Sequence, residues 1–199
     1  MLKKILTSIL LFFFLLTFTI NIIGFNYLVH KYEFKKLNVY SDFEDKSIVD
    51  KQSLNIIKNV YLNTSPDTNF LSETEVIHIK DVRNLVLLSL AILIISLFLL
   101  ILILIKNKSE IKSLLFISSL SNIIILIVLA LPFFINFSSS FTVFHEIFYT
   151  NDYWLISPDS DLIKIYPEQF FIDLGIFILI TNLIISTTIL VLSRIKLNR

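Results

Sequence analysis

Residues 86–105 read VLLSLAILIISLFLLILILI. A charge-free run of this length is what a helix needs to cross the roughly 30 Å hydrocarbon core at about 1.5 Å per residue. Working outward, three further runs share its character: residues 5–29, 113–135 and 170–193. The whole 199-residue chain is 55% hydrophobic, has a mean hydropathy of +0.81 and holds only two glycines. This composition lies far from that of soluble domains. It predicts an all-α membrane protein, a single membrane domain over 1–199 with four transmembrane helices and a helical extracytoplasmic cap. The first run follows Lys3 and Lys4. It is longer than the apolar core of a secretory signal and no A-x-A pattern follows it, so it is expected to stay attached as a signal-anchor.

Basic residues near the span ends set the expected orientation. Lys3 and Lys4 stand before the first run, Lys106, Lys108 and Lys112 between the second and third, and Arg194, Lys196 and Arg199 after the fourth. In a four-span chain these three places share one side. Segments 1–4, 106–112 and 194–199 are therefore expected in the cytoplasm, and segments 30–85 and 136–169 outside. All three histidines and nearly every acid then lie at the outer face, with Glu110 the exception. A net charge of +1 gives no support to nucleic-acid binding. The absence of cysteine excludes disulfides, a thiol nucleophile and thiolate metal sites.

Two outer stretches hold the candidate chemistry. In the first, residues 50–62 (DKQSLNIIKNVYL) place Leu54, Ile57, Val60 and Tyr61 at amphipathic helical spacing. The turn-rich NTSPDTN of 63–69 follows, and Ser72-Glu73-Thr74-Glu75 then has the form of a capping box that starts a helix running into the second span. On that helix Glu75, His78 and Asp81 share a rough face, and Asp81 is within reach of His78. His78 precedes Val86 by eight residues, about 12 Å of helix, which puts it at headgroup depth.

The second stretch is 144–171, FHEIFYTNDYWLISPDSDLIKIYPEQFF. It carries His145 close after the third span and the single tryptophan, Trp154, among Tyr149, Tyr153 and Tyr166, an interfacial aromatic belt. Ser157-Pro158-Asp159-Ser160 is a turn, and Pro167 with Glu168 suits the start of the fourth helix.

Each residue has a plainer alternative. His78 and His145 also fit exposed positions at helix ends, the aromatic residues fit anchors, and Lys31, Lys35 and Lys36 fit a solvated face. Ser157 and Ser160 lack a G-x-S-x-G elbow. No glycine-rich phosphate loop or H-E-x-x-H zinc pattern is present, and Glu75-x-x-His78 is one copy of a metal-ligand spacing that bundles use in pairs. No cofactor and no metal are expected.

The motifs EVIHIKDVRNL (75–85) and FHEIFYTNDYWLISPDSDLIKIYPEQFF (144–171) resemble those of the small four-span bacterial family of lipoprotein intramolecular transacylases. The topology and the unequal outer segments are similar as well, so the likeness covers most of the chain. The resemblance implies an acyltransferase acting on diacylglyceryl-modified lipoproteins in the bacterial cell membrane. One acyl chain would move from the sn-2 ester to the α-amino group of the lipidated N-terminal cysteine, leaving a lyso-form lipoprotein. The partners implied are those lipoproteins and membrane lipid.

The family's two histidines fall on His78 and His145, with Asp81, Asp152, Tyr153, Trp154 and Asp161 as supporting residues. Ester aminolysis needs a neutral amine and a stabilised oxyanion. His78, oriented by Asp81, is expected to take the amine proton. His145 is expected to stabilise the oxyanion or protonate the leaving glycerol oxygen; the exchange of these two roles, and a transient acyl group on either histidine, stay open. The alternative from another class is a non-enzymatic module that binds an envelope partner through residues 30–69. A transporter is disfavoured, since no charge lies deep in a span; Asn122 and Asn182 are explained by helix–helix hydrogen bonds.

Overall fold

The computed structural model describes residues 1–195. Lys196 and Arg199, two of the basic residues used for orientation, lie outside the described residues. Eight α-helices follow one another: α1 Leu2–Ile23, α2 Tyr27–Lys36, α3 Ser47–Leu62, α4 Glu73–Lys106, α5 Ile111–Ile135, α6 Phe137–Phe148, α7 Asp161–Ile165 and α8 Glu168–Arg194. Four of them, α1, α4, α5 and α8, are long and apolar enough to cross a membrane. In their bundle α1 packs on α4, α5 and α8, and α5 packs along α8. The remaining helices gather at the end where α1 stops and α8 starts.

The interior of the bundle uses small polar side chains where apolar lipid gives no drive to associate. Asn122 on α5 donates both amide hydrogens to α8, to Asn182 Oδ1 at 2.9 Å and Ser186 Oγ at 2.6 Å. Ser8 on α1 donates to Ser118 on α5. At the basic end Lys3 pairs with Glu110, and the Arg194 guanidinium lies 3.8 Å over the Phe116 ring. These contacts tie the three charged segments to one another.

The first span is shorter than the sequence indicates. The backbone N–H of Gly24 closes α1 on Ile20 O, and a Cβ at Gly24 would stand 2.6 Å from that same oxygen. Asn26 then accepts from Leu28 N and starts α2. Residues 27–29, apolar enough to read as membrane, therefore begin the cap.

The cap closes over Phe34, Val49, Val60, Ile165 and Phe170, all fully buried or nearly so. Its helix α3 buries Val49, Ser53, Ile56 and Val60. Of the expected Leu54–Ile57–Val60–Tyr61 stripe, Val60 is buried and Tyr61 packs against the core, while Leu54 and Ile57 are half-buried because Gln52, Ser53 and Asn59 take buried places on the helix. His30 is a core histidine, 3% exposed. Its Nε2–H donates to Gly24 O at 2.9 Å and its Nδ1 meets Ser53 Oγ, which also accepts from Tyr166. Of the lysines expected on a solvated face, Lys35 and Lys36 are exposed as expected; Lys36 also pairs with Glu33 and with Asp173 of α8, and Lys31 pairs with Asp50.

Asn122→Leu leaves Asn182 and Ser186 short of a donor inside the bundle. It is expected to lower the unfolding free energy of the detergent-solubilised protein by about 1–2 kcal/mol, read as a lower thermal midpoint.

Candidate active site

Helix α4 starts on a complete capping box: Ser72 N donates to Glu75 Oε2 at 2.7 Å, and Glu75 N donates to Ser72 Oγ. At 34 residues it is about 51 Å long, against a hydrocarbon core of about 30 Å. The charge-free run 86–105 fills that core, so the turns from Glu73 to Arg83 project beyond it. His78 rides on this projection.

His145 reaches it from α6, a helix the sequence reading treated as part of a link. The extended backbone of Asn136 ends α5, and its side chain accepts from Ser139 N at 3.0 Å to cap the next helix. The signal was present: an asparagine cap followed by Phe137, Phe141, Phe144 with His145, and Phe148 at helical spacing. His145 is 5% exposed. Its Nδ1–H donates to Phe141 O at 2.7 Å. A carbonyl oxygen only accepts, so in the neutral ring the lone pair sits on Nε2.

The two histidine rings lie 6.0 Å apart, centroid to centroid, tilted by 31°. Tyr149 touches both, its ring 5.5 Å from His78 and 5.4 Å from His145. Trp154 covers His145 at 4.8 Å and 31°, so the indole read as an interfacial anchor is part of the site. Phe141 and Phe144 close the remaining sides of His145, at 4.2 and 5.4 Å.

This aromatic surrounding sets the electrostatics. Burial, first, and then the neighbouring His145 pull His78 down to about 4, against the opposing pull of the Asp81 carboxylate. Burial also lowers His145, partly countered by the Phe141 carbonyl. Both imidazoles are therefore neutral at pH 7, each with a lone pair for a proton. Burial, and then Asp81, push the Tyr149 hydroxyl up to about 12, so it stays protonated.

Asp81 does not orient His78 through a hydrogen bond; among the described residues it accepts instead from Asn151 Nδ2 at 2.9 Å. Helical spacing puts Asp81 within reach of His78, but the loop after α6 lies over α4 and offers an amide in better position. Asp81 acts on His78 by charge alone. The same loop is fastened a second time where Ser160 Oγ donates to Glu75. Glu75 is thus committed to Ser72 and Ser160 rather than aimed with His78 at a shared ion.

Of the other expected site residues, Asp152 and Tyr153 are exposed on the loop, and Asp161 is exposed at the start of α7, paired with Lys164 at 2.8 Å. None of the three joins the histidines. An apolar groove of about 500 Å³ lined by Ile180, Leu183, Ile184 and Val191 lies along the other half of α8 and includes none of the site residues.

Two neutral bases in an aromatic setting at one end of a bundle suit proton transfer. A sequence model of the lipoprotein intramolecular transacylases, Lit, matches residues 5–171. No curated protein matches the chain. Among solved structures, the membrane-integral lipoprotein intramolecular transacylase Lit from Bacillus cereus superposes with a TM-score of 0.87 at 24% identity, over 97% of this chain and 93% of that one. Two structures of the same Bacillus cereus protein, with one histidine changed to arginine or to alanine, superpose with TM-scores of 0.84 at 23% identity, over 97% of this chain and 89% and 91% of theirs. The matched sequence reaches from the first span to the start of the fourth helix, and the fold agrees along nearly the whole length: the chain belongs to the lipoprotein intramolecular transacylase family, a multi-pass membrane acyltransferase that acts on lipoproteins.

Proposed function

We propose that the chain moves an acyl chain from the sn-2 ester of a diacylglyceryl-modified N-terminal cysteine to that cysteine's α-amino group, with His78 and His145 as the proton carriers. The observation that carries this reading is the meeting of the two histidines, 67 positions apart in sequence, with ring centroids 6.0 Å apart. Ester and amine belong to one molecule, whose acyl chains stay among the membrane lipids. Holding the two groups in contact removes much of the barrier; effective molarities in ideal cases are worth about 7–11 kcal/mol.

The proton account assigns the roles. An ammonium group loses two N–H protons on becoming an amide; one ends on the glycerol oxygen and the other in solvent. His78 takes the first, leaving a neutral amine, and Asp81 favours its charged form. It then releases that proton, since a second charge 6.0 Å away opposes the next step. As the nitrogen attacks, His145 Nε2 takes the second proton. When the carbon–oxygen bond breaks, His145 returns that proton to the leaving oxygen. Trp154 keeps water from the His145 ring. The distribution of lysines and arginines supports an active site facing the extracytoplasmic side.

His78→Ala and His145→Ala, each stably inserted, are expected to lower kcat by about 10²–10⁴; mass spectrometry of the lipoprotein N-terminus then finds the unrearranged diacylglyceryl form.

Both histidines act from the neutral form, so activity persists below the ordinary histidine value of about 6.5 and is lost as pH falls through their lowered values. Asp81→Asn removes the charge that raises His78. The acid limb of the kcat profile is expected to move to lower pH; a move to higher pH contradicts the assignment.

For orientation, a single cysteine replacing Asp159 is expected to react with a membrane-impermeant maleimide on intact cells, and one replacing Lys108 only after the cells are broken.

A further inference from the structure

The proton account leaves one charge without a partner. As nitrogen bonds to the ester carbon, the carbonyl π electrons move onto oxygen, and that oxyanion needs a hydrogen-bond donor that is in place beforehand. Most donors near the pair are already used. His145 Nδ1–H is spent on Phe141 O. The backbone N–H of Tyr149 is spent on His145 O at 2.8 Å. One hydrogen of the Asn151 amide is spent on Asp81, which holds that group on the Asp81 side of the loop. The Trp154 ring is tilted by 31° over His145 and contacts that histidine without contacting His78.

Tyr149 remains. It ends α6 in an extended backbone conformation, φ −120° and ψ 140°, and its ring lies against both histidines, the three rings forming a triangle. The ring stands edge-on to His78, at 83°, and also touches His145. Among the described residues its hydroxyl makes no hydrogen bond. A group that contacts both proton carriers, with an unspent O–H, can donate to a carbonyl held against the pair.

We propose that the Tyr149 hydroxyl is the catalytic donor that holds the tetrahedral oxyanion. The proposal rests on the histidine reading above. No proton moves along this bond: the hydroxyl stays protonated, donates to the oxyanion while it exists, and lets go when the carbonyl re-forms and the glycerol oxygen leaves with its proton from His145. Its resistance to ionisation keeps it a donor rather than a second base.

The test is Tyr149→Phe in the full-length protein, reconstituted in phospholipid bilayers and assayed with a synthetic diacylglyceryl lipopeptide. The phenyl ring keeps the packing on both histidines and only the hydroxyl is lost. The expected result is a kcat lower by about 10²–10³, KM within about threefold of wild type, and an unchanged thermal midpoint. A Tyr149→Phe enzyme with wild-type kcat, or with KM alone altered, overturns the proposal. His78→Ala and His145→Ala run alongside separate the two claims. If they are inactive while Tyr149→Phe is fully active, only the tyrosine assignment falls; if they are active, the histidine reading falls first.

Discussion

The site depends on a mismatch of lengths. Helix α4 has 34 residues, about 51 Å, and a membrane takes up about 30 Å of it. The rest stays helical because the Ser72–Glu75 capping box satisfies its first amides where no further turn can. His78 therefore stands on a rigid rod at a fixed height above the apolar run. The loop after α6 is hung on that rod at two points, Asn151 on Asp81 and Ser160 on Glu75. Trp154 lies between those fastenings in sequence. Without the projecting turns, neither the histidine nor the scaffold for its aromatic cover would exist.

The second determinant is dryness. Three aromatic side chains other than Tyr149 contact His145, and Tyr149 lies against both histidines. Removing water disfavours charge on either imidazole, so both wait as neutral bases. The same burial keeps the tyrosine a hydrogen-bond donor. One physical cause thus separates the roles, and proximity between the two rings discourages both from being charged together. That suits a reaction in which protons pass one after another.

Much of this was legible in the sequence, for reasons specific to each element. The four spans follow from uninterrupted apolar runs, and the start of α4 from Ser72 and Glu75. Helix α6 was hidden because its one-residue separation from α5 looks like the tail of a span; the Asn136 cap distinguishes the two. The first span was read as too long because Tyr27–Val29 are apolar, while Gly24 and Asn26 carry the break. Composition placed His78 and His145 at one membrane face, but their contact depends on how α6 turns back, which local spacing does not encode. Asp81 shows the opposite limit: spacing gives what a side chain reaches, and Asn151, seventy residues away, decides what it binds. Tyr149 looked like one more interfacial anchor, since only the fold shows which rings it packs against. Asp152 and Asp161 came from resemblance alone, and they lie exposed; Tyr153, read as part of the aromatic belt, is exposed too.

The central claim is that His78 and His145 act as one unit on one substrate. The direct measurement is kcat for His78→Ala, His145→Ala and the double variant with the same lipopeptide. Residues that act together lose nearly everything on the first removal, so the double variant should be within a few-fold of the slower single. If instead the losses multiply, with each histidine contributing its own factor, the two work independently and the pairing is contradicted.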